Sequence, residues 1–166
     1  MKKEQMDHSK AKSAAYSVGV IHSHVNTITE FVALFYPAHT GLSRRISRLQ
    51  DSATQNLDSI SDTLQLYGGA DRQNYHGARN NWQRVYPPIL GTHAQIGGHI
   101  KWAIEELQQI FCMLSRCLPA KHRSLKATDR LIKTFGSVRV ILDDIVWSEH
   151  KDKSREKIAH IYYGAL

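Results

Sequence analysis

Apolar residues in this chain return at steps of three and four over long stretches, and that spacing restricts the fold more than anything else in the sequence. Leu42, Ile46, Leu49, Ala53, Leu57, Ile60 and Leu64 hold a sustained four-three alternation. Such a row keeps one helix face apolar and makes it a packing seam for a bundle or a coiled coil. Upstream, Val18, Ile21, Val25, Ile28, Val32 and Phe35 mark the core face of a helix expected over residues 9–36 and stopped by Pro37. Ile96, Ile100, Ile104, Leu107, Phe111 and Leu114 do the same over 92–118, where Thr92 can cap the helix and Pro119 ends it. A fourth helix over 124–150 turns Leu125, Leu131, Ile132, Phe135, Val138, Leu142, Ile145 and Val146 inward. The polar run from Glu149 to Lys153 then breaks the pattern before a last helix that starts near Ser154.

These spacings predict an all-α fold, an up-and-down bundle of four long helices plus a short C-terminal helix. With no internal repeat and no low-complexity tract, residues 1–166 read as a single helical-bundle domain whose polar residues 1–8 are frayed. A chain of this length can bury a real core. Gly68-Gly69 breaks the second helix. Gly97-Gly98 either weakens the first turns of the third helix or lets another backbone come close to it.

Twenty-two Lys and Arg against fifteen Asp and Glu leave a formal charge of +7, which favours polyanionic partners, nucleic acid first. A basic protein with no such partner has the same composition, so the placement of the charge matters more. Arg44, Arg45 and Arg48 cluster at the start of the second helix, where they can hold phosphates or simply form a solvated face beside Gln50 and Asp51. Residues 67–92, the least regular part of the chain, interleave Arg72, Arg79, Trp82 and Arg84 with amide and tyrosine side chains. That mixture can grip single-stranded RNA or DNA by phosphate contacts and base stacking. The alternative is a long connection whose Trp82 and Tyr86 tuck under the bundle.

Several chemistries find no support. Cys112 and Cys117 lie five apart in a helical run, about 140° around the axis, which suits neither a disulfide nor zinc. They read as reduced thiols, and with no signal peptide and no apolar run of membrane length the expected location is cytoplasmic, away from membranes. Neither Glu-x-x-His nor His-x-x-x-His occurs, His93 and His99 fall on different faces, and His22 and His24 cannot share a ligand. No metal and no cofactor are therefore expected. Nucleotide-binding and hydrolase signatures are missing as well.

The C-terminal stretch carries the remaining chemistry, in the pattern Arg155-x-x-x-x-His160-x-Tyr162. A neutral-range imidazole can move a proton, and a permanently charged guanidinium matches the charge that builds on a pentacoordinate phosphorus. Together they suffice for phosphodiester cleavage without a metal. On an ideal helix the two point about 140° apart, which two helices meeting across a dimer axis would relax. A surface-charged amphipathic helix, with Ile158, Ile161 and Tyr162 packing inward, is the plainer reading of the same residues.

With Ile158 and Ala159 just before the histidine, the pattern resembles the signature of the HEPN superfamily, and with Tyr162 it looks most like the HepT toxins. The resemblance covers eight residues and the helical architecture, and Glu156 stands where family members usually carry Asn, Asp or His. It implies a homodimer whose motif helices line one cleft and cleave RNA, with Arg155 and His160 central. It also implies a toxin–antitoxin or antiviral-defence setting with an antitoxin or defence-system partner protein. Tyr162 would orient the substrate or, as in HepT-like proteins, receive nucleotides from the antitoxin.

Overall fold

The structure, a computed structural model, describes residues 6–68 and 80–164. Five helices follow in order: α1 (His8–Phe35), α2 (Thr40–Leu66), α3 (Leu90–Cys117), α4 (Arg123–Glu149) and α5 (Arg155–Tyr163). Among the described residues there is no strand, and the all-α bundle of four long helices plus a short C-terminal one is what forms. No helix of the described residues is long and apolar enough to cross a membrane.

Local chemistry sets the helix ends, with two departures from the sequence reading. Residues 6–8 are not frayed: Asp7 accepts from the backbone N–H of Ser9 at 2.9 Å as the N-cap of α1, and Met6 is buried in the core. The third helix begins ahead of Thr92, because the chain is free to coil as soon as it clears Pro87-Pro88. Thr92 is then buried in the first turn instead of capping it. Two histidines serve as caps: His39 Nδ1 accepts from Leu42 N at 3.1 Å, and His122 Nδ1 from Ser124 N at 3.3 Å.

The seams meet as the periodicity requires. All seven apolar positions of α2 named above are buried, as are Val18, Ile21, Val25, Ile28, Val32 and Phe35 of α1. Phe111 and Ile132, read as inward, are only half-buried at the margin of the core. Helix directions follow from three cross-bundle pairs: Ser17 with Glu106 at 2.6 Å, His24 with His99, and Phe31 with His93. Rising positions on α1 meet falling ones on α3, so these helices are antiparallel. At one end Thr63 of α2 bonds Ser124 of α4 at 2.6 Å; at the other, Tyr36 after α1 bonds Glu149 of α4 at 2.7 Å. The helices run up, down, down, up, with residues 67–89 linking the lower end of α2 to the upper end of α3. Each long helix packs on two antiparallel neighbours, in the ring order α1, α2, α4, α3.

The short helix α5 lies against α3 and α4. Nine residues are too few for a stable helix in water, so packing must hold it. Ile158, Ile161 and Tyr162 supply the apolar face. Gly97 of α3 supplies the room: a Cβ there would collide with the carbonyl oxygen of Ile161. Of the two readings of Gly97-Gly98, close backbone approach holds for the first glycine, while nothing lies near the second. Gly97→Ala should therefore lift α5 from its seat and cost about 1–3 kcal/mol in denaturant unfolding. Gly98→Ala, on the open side of the same turn, should be neutral or gain up to about 1 kcal/mol.

Halfway along the α1–α3 interface the rings of His24 and His99 stand 4.5 Å apart, with Trp102 edge-on to His24 at 5.0 Å. Burial, with repulsion from His99 added, lowers the His24 pKa from 6.5 to about 4, and burial lowers that of His99 too. The unfolded chain then binds more protons than the folded one below pH 6.5, so stability falls as pH drops from about 6.5 towards 4. Allowing for solvent screening at this half-buried site, His24 should account for about 1–2 kcal/mol of that loss. Urea midpoints measured across that range, compared between the wild-type protein and His24→Phe, check it.

Candidate functional site

Ser154 occupies the N-cap position of α5, and Arg155 opens the helix with its side chain in solvent. Among the described residues Arg155 forms no salt bridge. His160, one turn further on, is also exposed. Its Nδ1 lies 2.9 Å from the carbonyl oxygen of Gly164, at the C-terminal end of the same helix. A carbonyl can only accept, so the proton sits on Nδ1 and the Nε2 lone pair is left to act as a base. Gly164 allows this closing turn through its φ of 84°.

A further cation lies at the closing turn of α5. Lys101 of α3 runs beside Gly164, its Nζ 3.8 Å from where a Cβ on that glycine would lie. Lys101 is missing from the sequence reading because nothing in its spacing ties it to the C-terminal motif. On the α4 side, the Arg139 guanidinium covers the Tyr163 ring at 4.5 Å.

Tyr162 belongs to a different place, and the reading of it as a substrate-facing or modified residue is corrected. Its side chain is fully buried, and its hydroxyl lies 2.7 Å from His93 Nδ1. The physical reason is the apolar face of α5, which has to carry the ring inward for the helix to dock at all.

That contact is one link in a buried polar chain at the upper end of the bundle. Tyr36 gives its only proton to Glu149 Oε2 at 2.7 Å, so its oxygen accepts from His93 Nε2 at 3.1 Å. The proton of His93 is thereby fixed on Nε2, and Nδ1 accepts from Tyr162. Burial, with repulsion from His150 added, drives the His93 pKa down to about 3. The imidazole is neutral, so its 3.4 Å approach to Glu149 Oε2 is a dipolar contact, not an ion pair. Burial also raises the pKa of Glu149, against the opposing hydrogen bond from Tyr36. The phenols of Tyr36 and Tyr162 are held well above their ordinary range, by burial first and neighbouring carboxylates second. His150, the C-cap of α4, donates from Nε2 to the carbonyl of Pro88 at 2.9 Å. The site thus joins the end of α1, the start of α3, the end of α4, the segment before α3, and α5.

The basic positions proposed for nucleic acid are scattered. Arg44 and Arg48 are exposed on the first turns of α2, with Arg45 half-buried between them, and Arg84 is exposed before α3. Arg72 and Arg79 lie outside the described residues. Trp82 is half-buried against the bundle. Its Nε1 donates to Gln95 at 3.0 Å, and its ring packs edge-on to Phe31 at 5.7 Å. Of the two sequence readings, tucking under the bundle holds for Trp82 but not for Tyr86, which is 70% exposed.

No protein family, no curated protein and no solved structure matches this chain.

Removing the Tyr162 hydroxyl tests the buried chain. Tyr162→Phe keeps the ring but strands His93 Nδ1, and should lower stability by about 1–3 kcal/mol in urea unfolding. The helical circular dichroism signal should be retained.

Proposed function

We propose that this chain is a metal-independent endoribonuclease of the HEPN type, a toxin or antiviral-defence effector acting as a homodimer. The observation that supports it most is the placement of Arg155 and His160, both solvent-facing on one docked helix, with the His160 Nε2 lone pair left open. His160 takes the proton of a ribose 2′-hydroxyl, whose oxygen attacks the adjacent phosphorus as the 5′-oxygen leaves and takes a proton from solvent to become a 5′-hydroxyl. Arg155 faces the charge that accumulates on the non-bridging oxygens. The two side chains diverge around their own helix, so a dimer in which each protomer's α5 lines one cleft lets the arginine of one copy serve the histidine of the other. Tyr163 and Val140, each about half-exposed at 47% and 49%, offer apolar surface for such a self-contact. Tyr162 enters only as the residue that seats α5, and Lys101 adds a positive charge beside Gly164.

The second reading is a non-catalytic helical module that binds RNA or single-stranded DNA. The exposed Arg44 and Arg48, which form no salt bridge among the described residues, favour it, with Arg84 beyond them.

Purified protein incubated with structured and single-stranded RNA, with no divalent ion added, separates the two. The nuclease reading expects cleavage to 2′,3′-cyclic phosphate ends and a dimer by light scattering. His160→Ala should lose about 10²–10⁴-fold in rate and Arg155→Ala about 10²–10³-fold, both with unchanged helix content. Undiminished cleavage in both variants removes the proposal. Binding that weakens steeply with salt, without cleavage on long incubation, supports the second reading.

A further inference from the structure

Three metal-ligating side chains stand together at the upper end of the bundle, although no single helix register unites them. We propose that His93, Glu149 and His150 bind one divalent first-row transition ion of the zinc class. One ligand atom from each lies within 4.8 Å of the other two. His93 Nε2 and Glu149 Oε2 are already 3.4 Å apart. Two ligands about 2.1 Å from a tetrahedral ion are about 3.4 Å apart as well, so this edge of the cage needs no rearrangement. His150 brings its ligand atom within the same 4.8 Å.

The donor set decides the class of ion. Two imidazoles and one carboxylate suit zinc and its neighbours, which take three protein ligands and leave a fourth position open. Calcium and magnesium gather oxygens and would find one carboxylate too few. Tyr36 Oη lies 2.7 Å from Glu149 Oε2 and 3.1 Å from His93 Nε2, in contact with two of the three ligands.

A second observation is independent of these distances. Histidines that bind metals have their other ring nitrogen held by a hydrogen bond, which orients the ring. Both imidazoles are held in this way. Tyr162 Oη is 2.7 Å from His93 Nδ1, and the Pro88 carbonyl is 2.9 Å from His150 Nε2, which leaves His150 Nδ1 to offer its lone pair. Binding requires one proton shift: the His93 proton moves from Nε2 to Nδ1, and Tyr162 turns from donor to acceptor. The Glu149 carboxylate balances one of the ion's two charges, in a place where the His93 side chain is fully buried and that of Glu149 is 13% exposed. The ion touches neither Arg155 nor His160 and takes no part in the cleavage proposed above. It would clasp α3 to α4 and, through Tyr162, fix the seat of α5.

The full chain, stripped by chelator and dialysed, is titrated with Co²⁺ and then Zn²⁺. One equivalent of Co²⁺ should give visible absorption bands that Zn²⁺ abolishes, and Zn²⁺ should raise Tm by several degrees. Glu149→Gln and His150→Gln keep side-chain size and should each weaken Zn²⁺ binding at least tenfold. Tyr162→Phe should weaken it about 10–100-fold as a positioning residue. His24→Gln, away from the site, should leave it unchanged. X-ray absorption on the Zn²⁺-loaded wild-type protein, expected to show two imidazoles in the first shell, decides the matter even if a variant fails to fold. The proposal is overturned by the lack of a one-to-one Co²⁺ spectrum, by a first shell without imidazole pairs, or by unchanged affinity in both Gln variants.

Discussion

The contact between Tyr162 and His93 holds the C-terminal helix in place, and what this protein presents to solvent near its end depends on that helix. A nine-residue helix gains too few of its own hydrogen bonds to offset the entropy of ordering it. It persists because Ile158 and Ile161 bury apolar surface, because Gly97 lets the backbones come close, and because the Tyr162 hydroxyl finds a partner inside. These inward contacts fix the outward positions of Arg155 and His160. The residue that looked like part of the reactive surface is the anchor that makes that surface possible.

The surroundings of that anchor are polar and largely buried, a combination that works only when every group is matched. Two phenols, a neutral imidazole and a carboxylate form a directional chain from Tyr162 through His93 and Tyr36 to Glu149. Burial pushes each towards its uncharged form, so the hydrogen bonds, not ion pairing, hold them together. Apolar side chains of the same shape would fill the space equally well. The polar set additionally dictates how the ends of four helices line up, since a slip of one turn would leave several buried groups without partners.

Helix content was legible because periodicity is a local property: each row of apolar residues names its own buried face whatever it later packs against. The α2 seam from Leu42 to Leu64 is buried throughout, and the breaks at Pro37, Gly68 and Pro119 fall where helices end. Errors gathered where a residue's fate depends on a distant partner. Thr92 has the chemistry of a cap, yet its helix starts earlier. Tyr162 was read among reactive groups because of a motif, although its place on the apolar face of α5 pointed inward.

What the sequence alone determined is the set of helices, their buried faces, the basic surplus, and the presence of an arginine and a histidine at fixed spacing near the end. Those follow from backbone geometry and side-chain chemistry within a few residues. Only the tertiary structure brought His93 together with Glu149, 56 residues away, set Lys101 beside Gly164, and ran α2 and α3 in the same direction. Ligand spacings sought within single helices could not find the buried cluster, because its members come from the start of one helix and the end of another. Their meeting depends on how helix ends align across the core, which no local pattern encodes.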